Sequence, residues 1–497
     1  MAQDIKQLTG RAGEIVFGFK ANSRSLRPIH FTHPLFNHIL DYAYVYDDDL
    51  LDLWDKPSKK PSSELSTNIK SLFDGSRPPN NERIDRIRRY MRLILNNDEV
   101  LYNSPIHNAP TCTSDWLVTK VTDAVSIGRF LYFLIDHSDD SLERKIDSQL
   151  RDHHDGISLL VRPLIQSAAE RGPGVNVDEW EGPEIGNDSI LSEDGIAQNL
   201  LNGFNRLNTH LREPHGASSS YPHDLERVIR FGSFALYLFM INRNYEIREN
   251  THHNYRIPLL FHFTTESDSI ENASVQNVNI AQSEVENATR FGVRLVLDNW
   301  GWKSFDEAEI ITRLEEQSLI DLNRNNEEKV AAEFETLRSM YEVEPAENTF
   351  DKLVNVFSNA IHDSTFNSYP PRNTVQSFGW RIGLLQPRGN RANRRRFQPS
   401  AELLESIVLS TIEPGPEHQM TLPEFCERLR EQYGIIVGGD MEQDRAHLND
   451  WGIRIGSDVS ASDPLGSLNY RAFENTLVDL DYATKYADGV TLVEVVS

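Results

Sequence analysis

Along most of the chain the apolar positions recur at helical period. From Asn81 to Asn96, Ile84, Ile87, Met91 and Ile94 share one stripe while Arg83, Arg86, Arg89 and Arg92 fall elsewhere, which predicts an amphipathic helix. Ser114 to Asp136 predicts a longer helix, with Ser114 as N-cap before Trp116, Leu117 and Val118. Leu142 to Ala169 predicts one or two more, broken near Gly156 or Pro163. Asp194 to Leu211 and Leu225 to Ile247 follow. The second is apolar nearly all round (Phe231, Phe234, Leu236, Tyr237, Leu238, Phe239), so it is expected to be a central buried helix. Arg256-Ile-Pro-Leu-Leu-Phe-His-Phe-Thr264 reads as a buried strand, being short, apolar and flanked by polar turns. Helical patterning resumes over Ile270 to Leu297 and Phe305 to Tyr341, the latter with Glu307, Glu309, Arg313, Glu315 and Glu316 on a solvated face.

The pattern then changes. Between Ser364 and Ala401 there is no Asp or Glu but there are seven arginines: Arg372, Arg381, Arg388, Arg391, Arg394, Arg395 and Arg396. Beyond them, helices are predicted from Ser400 to Thr411, from a capping box at Thr421-Leu-Pro-Glu424 to Tyr433, and from Tyr470 to Leu480. A terminal hairpin, Tyr482 to Tyr486 and Val490 to Val496, turns at Asp488-Gly489. Helices closed by a two-stranded wing look like a winged-helix domain. The expected fold is therefore mainly α and multi-domain: an N-terminal helical domain over 1–170, a Gly- and Pro-rich linker over 171–193, and a central helical domain with a short buried strand over 194–345. An arginine-rich connector over 346–398 and a winged-helix-like module over 399–497 complete it.

Trp380-Arg-Ile-Gly-Leu-Leu-Gln-Pro-Arg388, the arginine run, Leu403-Leu-Glu-Ser-Ile-Val408 and Leu422-Pro-Glu-Phe-Cys-Glu-Arg-Leu-Arg-Glu-Gln-Tyr-Gly-Ile435 together carry a resemblance. In these segments, about the last quarter of the chain, the sequence is similar to the C-terminal part of large uncharacterised proteins of prokaryotic defence islands. Those proteins are encoded beside DNA-translocase ATPases and nucleases. The resemblance implies an accessory subunit of a DNA-acting, anti-phage complex, with a translocase ATPase or nuclease as a separate partner chain.

Composition narrows the classes. The 497 residues are 39% hydrophobic and 25% charged, with 23 Phe, 16 Tyr and 7 Trp, a polar but foldable composition. The net charge is −25, and the seven arginines leave −32 on the rest of the chain. The molecule as a whole repels polyanions, so any nucleic-acid contact must come from a local basic patch. Two cysteines, Cys112 and Cys426, leave no room for a disulfide framework or a cysteine-rich zinc site. The longest apolar run, Phe234 to Ile241, is far short of the roughly 20 residues that span a bilayer. The opening Met1-Ala-Gln-Asp-Ile-Lys has no apolar stretch of a signal peptide. The expectation is a cytoplasmic protein without membrane contact. There is no G-x-x-x-x-G-K-[ST], G-x-G-x-x-G, G-x-S-x-G, H-E-x-x-H or C-x-x-C, and no cofactor is expected.

Four clusters remain. Asp152-His153-His154-Asp155 carries groups that bind a divalent metal and activate water, so His153, His154 and Asp155 define the alternative function, a metal-dependent phosphohydrolase or nuclease. The polar helix before it is the wrong context for a DHH-type site, and a solvated helix end is the plainer reading. His30, His33 and His38 lie within nine residues, with a helix expected to begin near Pro34, and read as polar or capping histidines. Asp47, Asp48, Asp49, Asp52 and Asp55 surround Leu50, Leu51, Leu53 and Trp54 without the glycine of a calcium loop, and read as an acidic partner-docking face.

The arginine run is the strongest signal. Guanidinium forks match phosphate geometry, and Gly389, Asn390 and Asn393 suggest a loop able to follow a polyanion. Arg388, Arg391, Arg394, Arg395 and Arg396 are thus the expected nucleic-acid-binding residues; docking on the chain's own acidic surface and a merely solvated loop stay open. The last predicted helix carries Glu474, Asp479 and Asp481 against Arg471, which disfavours groove reading and favours protein docking. The function expected from the sequence is a non-catalytic scaffold that touches nucleic-acid backbone through the arginine loop and partner proteins through acidic helices. On that reading, elemental analysis of the purified protein gives no stoichiometric transition metal. About one metal per chain, lost on changing His153 and His154 to Ala, reverses it in favour of the enzyme.

Overall fold

The computed structural model describes residues 5–21, 26–41, 58, 60–65, 80–95, 124–152, 195–212, 221–247, 256–316, 327–363, 371–388, 393–456 and 463–495. The fold is mainly α. In chain order the first half contributes α1 (Ile5–Phe17), α2 (Pro28–Ile39), α3 (Asn81–Leu95), α4 (Ala124–Asp136), α5 (Asp140–Asp152), α6 (Ile196–His210) and α7 (Tyr221–Ile247). Strand β1 (Leu259–Leu260) precedes α8 (Asp268–Asn299), α9 (Glu307–Glu316), α10 (Glu327–Val343), α11 (Thr349–His362) and α12 (Pro371–Arg381). No helix among the described residues is long and apolar enough to cross a membrane.

Helix α7 is buried on every side, as its pattern predicts: Phe231, Phe234, Leu236, Leu238 and Phe239 have no exposure. Two of its buried arginines have different partners. Arg230 pairs with Glu226 one turn earlier. Arg243 donates from Nε to the Val16 carbonyl at 2.9 Å, and its guanidinium lies over the Phe239 ring. The other long helix, α8, starts at Ser267, whose Oγ accepts from the Ile270 N–H. It packs on α1 at Gly292, where a Cβ would sit 2.5 Å from the Ala12 carbonyl oxygen. Only glycine permits that approach.

The expected strand over 256–264 shrinks to the pair Leu259–Leu260. It runs parallel to β5 (Ile435–Ile436), with Leu259 opposite Ile435. The segment is extended and buried, so its backbone groups need partners, and side chains supply most of them. Asn242 Oδ1 accepts from Ile257 N, and Asn277 Oδ1 accepts from Leu260 N. The Asn277 amide donates to the Pro258 carbonyl, and Ser274 Oγ donates to that of Leu260. Asn469 accepts from Phe263 N and donates to the carbonyls of Phe261 and Val437.

The C-terminal region begins with the strand pair β2 (Leu385–Gln386) and β3 (Arg396–Phe397), then α13 (Ala401–Leu409). After it come β4 (Met420–Thr421), α14 (Leu422–Tyr433), β5, α15 (Met441–Asp450), a π-helical turn (Leu465–Asn469), α16 (Tyr470–Asp479), β6 (Ala483–Lys485) and β7 (Thr491–Val493). The last sheet has the order β4–β7–β6, antiparallel throughout. The capping box at Thr421 and Glu424 forms as the sequence predicts, and Gly434 ends α14 with φ 72° so that its carbonyl accepts from Leu259 N.

Several expectations change. The arginine-rich connector holds α11, α12 and a strand pair, because Phe357, Ile361, Val375 and Phe378 supply a buried face. Within the helical pattern over 305–341 the described residues form α9 and α10, and 317–326 lie outside the described residues. The helix expected near Pro34 starts at Pro28, with proline in its first turn, and includes Pro34. Ser114 lies outside the described residues. Buried side chains from 1–170, 194–345, 346–398 and 399–497 form one contiguous core. Phe231 and Phe234 of α7, for example, meet the Tyr433 ring of α14 edge-on.

Asn277→Ala strands two buried backbone groups, each worth about 1–3 kcal/mol when unpaired, so stability should fall by about 2–5 kcal/mol. Urea denaturation checks this as a lower midpoint at unchanged slope.

Candidate functional site

The arginine run leads from β2 to β3, with 389–392 outside the described residues and Arg396 within β3. Strands β2 and β3 pair antiparallel, Leu385 opposite Phe397 and Gln386 opposite Arg396. Phe397 is fully buried against Tyr237; its N–H donates to Ser274 Oγ at 2.9 Å and its carbonyl accepts from His262 N at 2.8 Å. One end of the arginine loop is therefore fastened to α8 and to the buried 256–264 segment.

The five arginines expected to contact phosphate have separate fates. Arg388 is half-buried where the chain leaves β2, and Arg391 lies outside the described residues. Arg394 has the left-handed φ of 55°, unusual for a side chain of this size and costing about 1–3 kcal/mol. Its guanidinium donates to Asn272 Oδ1 at 2.6 Å and stands 3.5 Å from Glu271 Oε1, yet the side chain keeps 61% of its exposure. Arg395 is turned inward and buried, donating to Gln376 Oε1 at 3.0 Å. That removes it from the set that can reach a phosphate in this conformation. Arg396 donates from Nε to His262 Nδ1 at 3.1 Å and lies 4.0 Å from Glu271 Oε1. Because Nδ1 accepts, the His262 proton sits on Nε2. Burial first, and the Arg396 charge second, hold His262 down at about 4, so it stays neutral. From 393 to 396 the segment is pinned rather than free to follow a polyanion. Sequence reasoning did not find Glu271, Asn272, His262 and Gln376, since no local spacing links α8 to a hairpin more than 100 residues later.

The electrostatics of the C-terminal region also differ from expectation. Glu474 of α16 is buried: it accepts from Lys485 Nζ at 2.8 Å and from the Thr491 hydroxyl. It ties the hairpin β6–β7 to its helix and is not a surface acid. Arg471, Asn475 and Asp479 form the exposed side of α16. At the hairpin tip Tyr486 and Val490 are 48% and 43% exposed, facing each other across the turn at Gly489. On the opposite edge of the sheet, a depression of about 470 Å³ over Met420 is rimmed by Glu413, Glu417, Glu424, Glu427 and Glu431, with His418 and Arg428. Five carboxylates around one hollow favour a cationic occupant.

No group of three or more His, Cys, Asp and Glu side chains is placed to hold a metal among the described residues. His33 is buried within α2, and His38 stacks on Tyr132 and is held at about 4 by burial and by Arg129. The side chain of His30, His153-His154-Asp155 and the acidic stretch from Asp47 to Asp55 lie outside the described residues.

A charged cluster joins α7 to α13. Arg227 donates to Glu405 at 2.9 Å, and His223 lies 3.9 Å from Glu226 and 3.5 Å from Glu405. Those two carboxylates raise His223 to about 9. Burial pushes Glu405 up, but bonds from His223 and Arg227 outweigh it and hold the group at about 2. A raised His stabilises the fold below its unfolded value near 6.5 and loses that contribution as pH rises through 9. A depressed Glu stabilises above about 4.5 and loses its contribution as pH falls towards 2. The stability gap between the wild type and His223→Ala should thus be largest near pH 5.5, smaller at 7.5 and nearly closed at 9.5, as read from urea midpoints.

No family model, curated protein or solved structure matches this chain.

Proposed function

We propose that this chain is a non-catalytic scaffold or adaptor subunit of a DNA-acting complex. It contacts nucleic-acid backbone through the arginine hairpin and protein partners through acidic helical surfaces. One observation carries the reading. The acid-free, arginine-bearing segment is fastened by Phe397 into the core, and Arg394 keeps 61% side-chain exposure next to it. A basic element displayed from a chain otherwise at −32 is a local attractor for phosphate. Arg388, Arg391 and Arg394 are the proposed contact residues; Arg395 and Arg396 hold the hairpin.

The C-terminal region is read as a winged-helix module that docks protein. The order β4–β7–β6, with α13, α14 and α16 packed about a terminal hairpin, supports the first part. For the second, the exposed residues of α16 include Asp479, and the wing tip presents Tyr486 and Val490 rather than cations. The acidic hollow of α14 gives the surface for a basic partner. The anti-phage context and the separate translocase ATPase or nuclease come from the resemblance in the last quarter of the chain.

Changing Arg391 and Arg394 to Ala should weaken binding to nucleic acid of any sequence about equally. Phosphate contacts hold no base information, so the salt slope should fall by roughly one unit per contact removed. Fluorescence anisotropy on oligonucleotides of differing sequence at several salt concentrations measures both effects. No retention of DNA or RNA at low salt by the wild-type chain defeats the reading.

A further inference from the structure

Helix α3 carries a second group of arginines, separate from the hairpin. It holds Arg83, Arg86, Arg88, Arg89 and Arg92 against Glu82 and Asp85. The fold divides them. Arg88 turns inward beside Ile84 and has no exposure; its Nη1 donates to the Lys60 carbonyl at 2.6 Å and to Ser62 Oγ at 3.2 Å. Asp85 faces the same side, accepting from the Ser62 hydroxyl 3.9 Å from Arg88. These bonds fix the roll of α3 on the short helical turn Ser62–Glu64. Arg83, Arg86 and Arg89, three residues apart, consequently share the outer face, and all three are exposed.

The charge on that face is mostly unspent. Among the described residues Arg83 and Arg89 have no carboxylate partner. Arg86 meets Glu82 in a pair whose side chains are 75% and 71% exposed, an arrangement that holds little energy against water. Glu64, on the turn beneath, is exposed but pairs with none of the three. The wider segment is basic too: residues 56–92 hold ten Lys and Arg against four Asp and Glu, +6 in a chain at −25.

We propose that the outer face of α3 is a second phosphate-contacting surface, on which nucleic-acid backbone lies along Arg83, Arg86 and Arg89. The inference deepens the polyanion reading above by adding a contact element to it. Positions i, i+3 and i+6 advance about 4.5 Å per step along the axis, which sets the three guanidinium groups in a row beside one strand. Composition selects the ligand. From 81 to 89 the exposed residues are Asn81, Glu82 and the three arginines, while Ile87 is half-buried. A protein interface needs an apolar or aromatic core, whereas backbone contacts to nucleic acid are polar and cationic. The face therefore suits phosphate better than an acidic protein.

The test follows fluorescein-labelled single-stranded DNA of about 20 nucleotides by anisotropy on the full-length chain, at several salt concentrations. Arg83→Ala/Arg86→Ala/Arg89→Ala should weaken binding roughly tenfold and lower the salt slope by about two units, the value for three contacts to a single strand. The corresponding triple Lys variant should keep most of the slope, because charge sets it. Arg454→Ala/Arg471→Ala removes two exposed charges elsewhere and should change neither quantity. Glu82→Gln should tighten binding up to about twofold by releasing Arg86. Circular dichroism melts check that each variant folds; should the triple Ala variant not fold, Arg89→Ala alone gives the same reading at about 0.7 units of slope. Loss of binding in the α3 variant but not in Arg391→Ala/Arg394→Ala supports this surface and removes the hairpin from the contact. Loss in the hairpin variant but not in the α3 variant overturns this surface and leaves the hairpin reading standing. If the α3 variant binds DNA as the wild type does but loses binding to poly-L-glutamate, the face serves an acidic protein and the inference falls. No binding of nucleic acid by the wild type at low salt defeats both.

Discussion

The structure depends on keeping one extended segment dry. Residues 256–264 run through the middle of a helical protein, where strands are scarce and water is excluded, and every buried N–H and carbonyl there needs a partner. A neighbouring strand covers only two residues of it. Most of the remaining groups are met by amide and hydroxyl side chains from three directions: Asn242 on α7, Ser274 and Asn277 on α8, and Asn469 at the π-helical turn, with His262 N donating to the Phe397 carbonyl. His447 of α15 bonds the Arg256 carbonyl at the entry. Elements that are far apart in sequence thus become neighbours because they share the task of satisfying one short stretch of backbone.

The same constraint positions the arginine hairpin. Ser274 donates to Leu260 and accepts from Phe397, so one hydroxyl bridges the buried segment and β3. The base of the hairpin at β3 is then set by the core, and Arg394 takes its left-handed φ next to residues bonded into that core. Strain at that residue holds its guanidinium at the edge of α8, against Asn272 and Glu271, rather than leaving it to wander in solvent. A rigid display of this kind loses less side-chain freedom on meeting a ligand than a flexible arginine loop would, which suits the proposed backbone contact.

Charge in the C-terminal region is divided between interior and surface in a way that net composition hides. Asp444 takes Arg430 inside the module, and Glu474 takes Lys485 and Thr491. These acids are structural. Five exposed or half-buried carboxylates rim the hollow beside α14, while the tip of the β6–β7 hairpin keeps Tyr486 and Val490 exposed.

Much of the fold was legible in the sequence, because helical periodicity and caps are local. The helix α3, the all-round burial of α7, the capping box of α14 and the terminal hairpin turning at Gly489 follow from residues within a few positions of one another. The excess of arginine over acid between 364 and 401 was legible as well. Tertiary structure alone decided which of those arginines face water. Arg394, Arg395 and Arg396 are consecutive and chemically identical, yet one is exposed, one is buried on Gln376 and one is bonded to His262. Their partners come from residues 262, 271, 272 and 376, and no pattern along the chain records that pairing. The difference is physical: a helix closes its own hydrogen bonds within four residues, whereas a guanidinium takes whatever acceptor the packing of distant elements brings within reach.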